Sequence, residues 1–224
     1  MKIRAISDLH GKTLPHVKEC DVLVIAGDIA KDNRYTLRDR EMCAGKQLEW
    51  LEEHFIPYLY EMQNRVGAVV GIWGNHDYIG EYPEKVKRFL RQVPKNYQQI
   101  DESLVQIQGK TFYGFPYVPK LERWAFHKNP TDLAVAVAAI PQCDVLVTHG
   151  PAMGILDQIA SGQNVGLESL RLKLFDMQPS AHFCGHIHEA RGQYVNKFFR
   201  SYNVSSLDET YTPYNLDPVV VEVE

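Results

Sequence analysis

Five short clusters of oxygen- and nitrogen-bearing side chains recur along the chain: Asp8-Leu9-His10, Gly27-Asp28, Gly74-Asn75-His76-Asp77, Thr148-His149-Gly150 and Gly185-His186-Ile187-His188. Carboxylate, imidazole and amide-oxygen donors together suit a divalent ion of intermediate hardness. Asp8 with His10, and His186 with His188, stand two residues apart, so on an extended chain each pair points to one side. Gly27 lets the backbone turn close to an ion beside Asp28. Gly74-Asn75-His76-Asp77 is the most specific cluster, because a neutral amide beside an imidazole and a carboxylate is an unusual donor set. Taken singly, most of these clusters are common turns or strand ends. Their coincidence carries the weight, since five of the nine histidines fall within them. His16, His54, His127 and His182 lie outside and read as surface or packed residues, with His182 pointing away from the site.

Elements must bring these clusters together. Apolar runs at 3–7, 22–26, 68–73, 145–148 and 181–184 each stop at one of the clusters, as buried strands do when their C-terminal ends open onto a site. Leu48, Leu51, Phe55, Leu59 and Met62 recur at three or four residues and predict an amphipathic helix over 44–65, kinked or divided at Pro57. Shorter helices are predicted at 84–92, 132–139 and 167–177. Further strands, mostly antiparallel, are predicted at 104–107, 111–115, 193–202 and 219–223. Two facing sheets with helices outside fit this order.

Composition bounds the partners. The 224 residues carry 24 Lys and Arg against 28 Asp and Glu, so the broad positive field that long nucleic acid demands is missing. A small anion remains compatible, because bound cations reverse the local field. The four cysteines stand far apart, with no CxxC spacing, which fits a reducing cytoplasm. No window approaches the roughly 20 apolar residues of a membrane span, and no signal peptide is evident. One domain over 1–224 is expected, and the oligomeric state is left open.

The ordered clusters resemble the full motif set of the calcineurin-like metallophosphoesterase family, in spacing as well as order, over nearly the whole chain. A closer likeness is to its small metallophosphoesterase-domain subgroup with vertebrate brain members. That likeness rests on Gly114-x-Pro116, Pro119, Trp124 to Phe126, His149-Gly150-Pro151, His188-Glu189, and the tail from Asn203-Val204-Ser205 to Tyr214-Asn215. The resemblance implies an α/β fold, a four-layer αββα sandwich with two mixed β-sheets flanked by helices. It implies two divalent metal ions, Mn foremost, with Fe, Zn, Co or Ni also admitted by the donor types. One ion would be held by Asp8, His10, Asp28 and His188, the other by Asp28, Asn75, His149 and His186, with Asp28 bridging. The expected activity is phosphoester hydrolysis, of phosphodiesters first and cyclic nucleotides among them, by attack of metal-bound hydroxide. His76 is spared from ligation and is expected to donate a proton to the departing alkoxide or to stabilise the phosphorane-like charge. Asp77, Asp32 or Glu189 is expected to orient a histidine. Loops at 33–35 and 117–127 could cover the site, Arg34, Tyr78, Trp124 and Phe126 are candidates for a phosphate or base, and 162–164 reads as a further lid. The alternatives are a phosphomonoesterase with the same metals, or a non-catalytic metal-binding scaffold.

Overall fold

Valine, isoleucine and leucine dominate the runs that end in the site clusters, and the computed structural model of the protein shows why: their two faces enter two different cores. Residues 1–33, 39–215 and 217–223 are described. The first half of the chain forms β1 (Lys2–Ile6), β2 (Cys20–Ala26), α1 (Arg40–Trp50), α2 (Ile56–Met62), β3 (Val66–Ile72), α3 (Pro83–Leu90), β4 (Tyr97–Gln99), β5 (Leu104–Ile107) and β6 (Lys110–Phe115). The second half forms β7 (Val118–Pro119), β8 (His127–Lys128), α4 (Pro130–Ala138), β9 (Val145–Thr148), α5 (Glu168–Met177), β10 (Ala181–Cys184), β11 (Gly192–Val195), β12 (Arg200–Asn203) and β13 (Val219–Glu222).

One sheet runs β13-β1-β2-β3-β4 and the other β11-β12-β10-β9-β6-β5. Both are mixed. β1 to β4 pair in parallel and β13 antiparallel; in the second sheet β6, β9, β10 and β12 are parallel, with β5 and β11 antiparallel at its edges. The expected antiparallel character therefore holds only for the edge pairs, because β6 and β12 meet their inner neighbours through crossovers. β7 and β8 form a separate two-stranded patch.

Period-two alternation sorts the side chains into layers. Val22 and Val24 face the second sheet, where they meet Val145, Val147 and Phe183. Leu23 and Ile25 face outward onto Leu51, Phe55 and Phe89 of the first helical layer. On the other side Leu146 and Phe115 pack under Leu133, Leu170 and Leu174 of α4 and α5. Three apolar cores separate four layers, the αββα order. Among the described residues no helix is long and apolar enough to cross a membrane.

The helix predicted over 44–65 spans 40–62, with a π-helical turn (Leu51–Phe55) at its centre. Pro57 lacks an N–H and would crowd the preceding turn; the wider turn, in which the Ile56 N–H reaches back to the Leu51 carbonyl, takes it without breaking the helix. The single strand predicted at 193–202 is a hairpin. Asn196 Oδ1 accepts from the backbone N–H groups of Phe198 (2.7 Å) and Phe199 (2.9 Å), folding the chain back between β11 and β12.

Candidate metal centre

The candidate donors stand just beyond the C-terminal ends of β1, β2, β3, β9 and β10, the crevice in which parallel α/β sheets place ligands. Asp8, His10, Asp28 and Asn75 come from the first sheet; His149, His186 and His188 come from the second. The strands end in tight, left-handed backbone. Asp8 (φ 55°), His10 (φ 45°), Asp28 (φ 52°) and His186 (φ 68°) all have positive φ, which costs about 1–3 kcal/mol per residue and persists only where the surroundings enforce it. Here Asp8 N–H donates to Gly27 O (3.0 Å), and His10 N–H to Asp28 O (2.9 Å). Glycine is obligatory at two approaches: a Cβ on Gly74 would collide with Asp28 Oδ1, and one on Gly185 with Ser7 Oγ and Asp8 Oδ2.

The expected donors converge as two groups, and His10 also meets Asp32 and His76 in a third. Asp8, His10 and His188 bring their ligand atoms within 4.8 Å of one another, and so do Asp28, His149 and His186. His188 Nε2 is 3.4 Å from Asp8 Oδ1, His149 Nε2 is 3.2 Å from Asp28 Oδ2 and 3.0 Å from Asn75 Oδ1, and His10 Nε2 is 3.7 Å from Asp28 Oδ2. Asp28 thus touches both groups. His10 tests whether the site fits a metal ion. It is 1% exposed, and neither ring nitrogen has a hydrogen-bond partner; Asp32 Oδ2 stands 3.3 Å from Nδ1 without the alignment of a hydrogen bond. Leaving a buried polar atom unpaired costs about 1–3 kcal/mol, so an orphaned imidazole among carboxylates calls for a cation.

Outer contacts fix which nitrogen faces inward. His149 Nδ1–H donates to Ala26 O and His188 Nδ1–H to Asp208 O, each at 2.9 Å, leaving both Nε2 atoms for the site. His76 Nδ1 pairs with Asp32 Oδ1 at 2.8 Å. Of the three acidic residues expected to orient a histidine, Asp32 does so. Asp77 instead accepts from the backbone N–H groups of Ile29, Ala30 and Gly74, and Glu189 from that of Ala160. Asp8 is braced from the tail: Ser205 Oγ–H donates to its Oδ2 (2.8 Å), and Asn203 accepts from the Ser205 backbone N–H at its Oδ1 (3.1 Å) while its amide donates to Ile187 O (2.8 Å). Sequence reasoning had placed Asn203 and Ser205 in a likeness without giving them a role.

Electrostatics favours a charged pair of carboxylates. Burial opposes ionisation of Asp8, yet the hydrogen bond and charge of His188 hold its pKa well below the usual range. Burial likewise opposes ionisation of Asp28, and His149, His76 and His10 outweigh it. Asp32 falls to about 2, because His10 and His76 overcome its burial. Burial alone would lower His76, but Asp28 and Asp32 raise it. His186 is pushed down to about 3, chiefly by burial, which keeps its ring neutral and able to ligate.

Two aromatic rings border the centre. Trp124 lies against His76, with ring centroids 3.9 Å apart, and Tyr211 sits 4.8 Å from His10 and 5.0 Å from His188. Tyr211 had no signal in the sequence, because a lone tyrosine in a polar turn looks like any other. Tyr78 does not face the centre: it is fully buried, and its hydroxyl donates to Arg123 O (2.7 Å). Phe126 packs near Tyr117 at 6.0 Å, and Arg34 and Tyr35 lie outside the described residues. The 162–164 segment closes a hydrogen-bonded turn, with Ile159 N–H donating to Gln163 O and Asn164 to Asp157. His182 is buried away from the centre, between Thr148 and Ser201.

Residues 1–190 match the calcineurin-like phosphoesterase family. Metallophosphoesterase domain-containing protein 1 of Homo sapiens is 29% identical over 97% of this chain and 69% of its own length, as is its Mus musculus counterpart. A UPF0046 protein of Caenorhabditis elegans is 29% identical over 88% of this chain and 66% of its own. Among solved structures, TT1561 of Thermus thermophilus superposes with a TM-score of 0.53 at 12% identity, covering 90% of this chain and 88% of that one, which bears on the fold alone. With the match running over most of its length, this chain belongs to the calcineurin-like phosphoesterase family and is a metal-dependent hydrolase of phosphate esters.

Proposed function

We propose that the chain hydrolyses small phosphodiesters, cyclic nucleotides among them. In this reading one divalent ion is held by Asp8, His10, Asp28 and His188, and a second by Asp28, Asn75, His149 and His186. The observation that carries it is the buried His10, its ring nitrogens unpaired, which joins Asp8 and His188 in one group and stands 3.7 Å from Asp28 of the other. Two such ions supply a nucleophile of lowered pKa and a charge clamp for phosphate oxygens. Manganese is the first candidate, and the donor types accept Fe, Zn, Co or Ni as well.

The chain's own residues supply the proton and the orientation. His76 belongs to neither ligand set, and Asp32 engages its Nδ1 while Asp28 and Asp32 favour its protonated form. Its Nε2–H is then the donor for the departing alkoxide. Trp124 and Tyr211 offer aromatic faces for a base or aryl group on the ester. Among the described residues, the ion pairs at the candidate donors join carboxylates to histidines alone, with no Lys or Arg. That environment suits a diester monoanion better than a monoester dianion. The test is hydrolysis of bis(p-nitrophenyl) phosphate against p-nitrophenyl phosphate by chelator-treated protein given Mn. Metal-restored cleavage of the diester that is lost in Asp28→Ala supports the reading, and a preference for the monoester overturns its substrate class.

A further inference from the structure

The tail residues Tyr214 and Asn215 contribute no candidate donor to the metal centre. They line a separate cavity of about 230 Å³, with Thr13, His16, Arg191 and Ser206. None of the lining residues is a candidate metal ligand. Ile6 forms part of the floor, two residues before Asp8.

Arg191 and Asp217 are the residues of formal charge in its lining. Arg191 is half-buried, its Nη1–H donates to the Ser205 carbonyl, and its guanidinium lies 5.4 Å from the Tyr214 ring centroid. Among the described residues it has no carboxylate partner. Asp217, the acidic residue of the lining, is engaged by Lys18. Arg4, 6% exposed, leaves β1 on the same face as Ile6 and, with Lys18, offsets the Asp217 charge. A guanidinium has five donors in a planar fork that matches an oxyanion, and Arg191 spends one on a neutral carbonyl. Thr13, Ser206, Asn215 and His16 add polar groups to the same lining. A cavity of about 230 Å³ is of a size for a small molecule.

We infer that this cavity is a second binding site, for a small oxyanion-bearing molecule anchored on Arg191 and separate from the metal centre. Its walls lead directly to the candidate ligands, since Tyr214 OH donates to His188 O (3.3 Å) and the carbonyl that Arg191 holds belongs to Ser205, which bonds Asp8.

Amide NMR titration of the full chain with sodium sulfate and, separately, sodium acetate decides it, with sodium chloride at matched ionic strength as control. Saturable shifts at Ser206, Tyr214 and Asn215 are expected with at least one of the two anions, the stronger telling a tetrahedral from a planar group. Binding should weaken at least ten-fold in Arg191→Gln, less in Arg191→Lys, and persist in Asp28→Ala. Shifts no larger than those with chloride overturn the inference in the unaltered protein, whatever the variants do. Saturable shifts that disappear in Asp28→Ala overturn it too, because the anion then sits on the metals.

Discussion

At the scale of single residues, His76 and Asp28 separate catalysis from metal binding. His76 meets the centre through Asp32, through its backbone N–H, which donates to Asp28 Oδ1 at 2.7 Å, and edge-on against His10, with ring centroids 4.5 Å apart. His76→Ala should keep metal content near normal while turnover falls about 10²–10⁴-fold, the usual worth of a positioned proton donor. Asp28→Ala should lose metal and turnover together. Metal analysis beside kinetics checks both, and equal metal loss in the two variants would remove His76 from the proposed role. These residues were legible in the sequence because each stands immediately after an apolar run. Ser205, Asn203 and Tyr211 were not, since they support or border the site from the tail, where spacing carries no information about what they touch.

At the scale of elements, strand ends and their glycines hold the donors in strained backbone. Gly185→Ala places a Cβ against Ser7 and Asp8, so the turn between β10 and His186 must shift; a stability loss of about 1–3 kcal/mol is expected, with weakened metal binding. Unchanged denaturation and metal titration curves would contradict that reading of the turn. β10 also carries His182. Thr148 Oγ1–H donates to Gly150 O (2.6 Å) and so accepts from His182 Nε2–H (2.9 Å), while Ser201 Oγ is 3.1 Å from Nδ1. Burial pushes this ring from 6.5 down to about 3. Below pH 6.5 the unfolded chain takes up a proton that the folded chain refuses, so stability falls with acid by up to about 1.4 kcal/mol per pH unit until the folded pKa is reached. Urea midpoints of His182→Gln between pH 4 and 6.5 should show a shallower fall than the parent, and parallel slopes would exclude the effect. The strand runs were readable from hydropathy. The β11–β12 hairpin was hidden because residues 193–202 look continuous until Asn196 caps the turn, and β4 because three residues are too few to show a pattern.

At the scale of the whole molecule, the candidate centre straddles the seam between two sheets, so the packing of the middle core sets its geometry. Phe183 is fully buried in that core beside Val147 and Tyr202, three residues before His186. Phe183→Ala should cost about 3–5 kcal/mol and lower metal affinity, because the cavity lets the second sheet's histidines drift from the first sheet's carboxylates; calorimetry with and without metal measures both effects. The layered order followed from runs that end in polar clusters together with helices between them, whereas which strands lie side by side depended on crossovers that no local pattern encodes. The central claim is that the two sheets jointly hold two divalent ions sharing Asp28. Metal stoichiometry of the Mn-reconstituted protein by elemental mass spectrometry, read beside diester turnover, tests it most directly. Two ions per chain in the parent, and loss of metal with activity in Asp28→Ala, is the predicted result; full activity with one ion, or two tightly bound ions retained without Asp28, would contradict it.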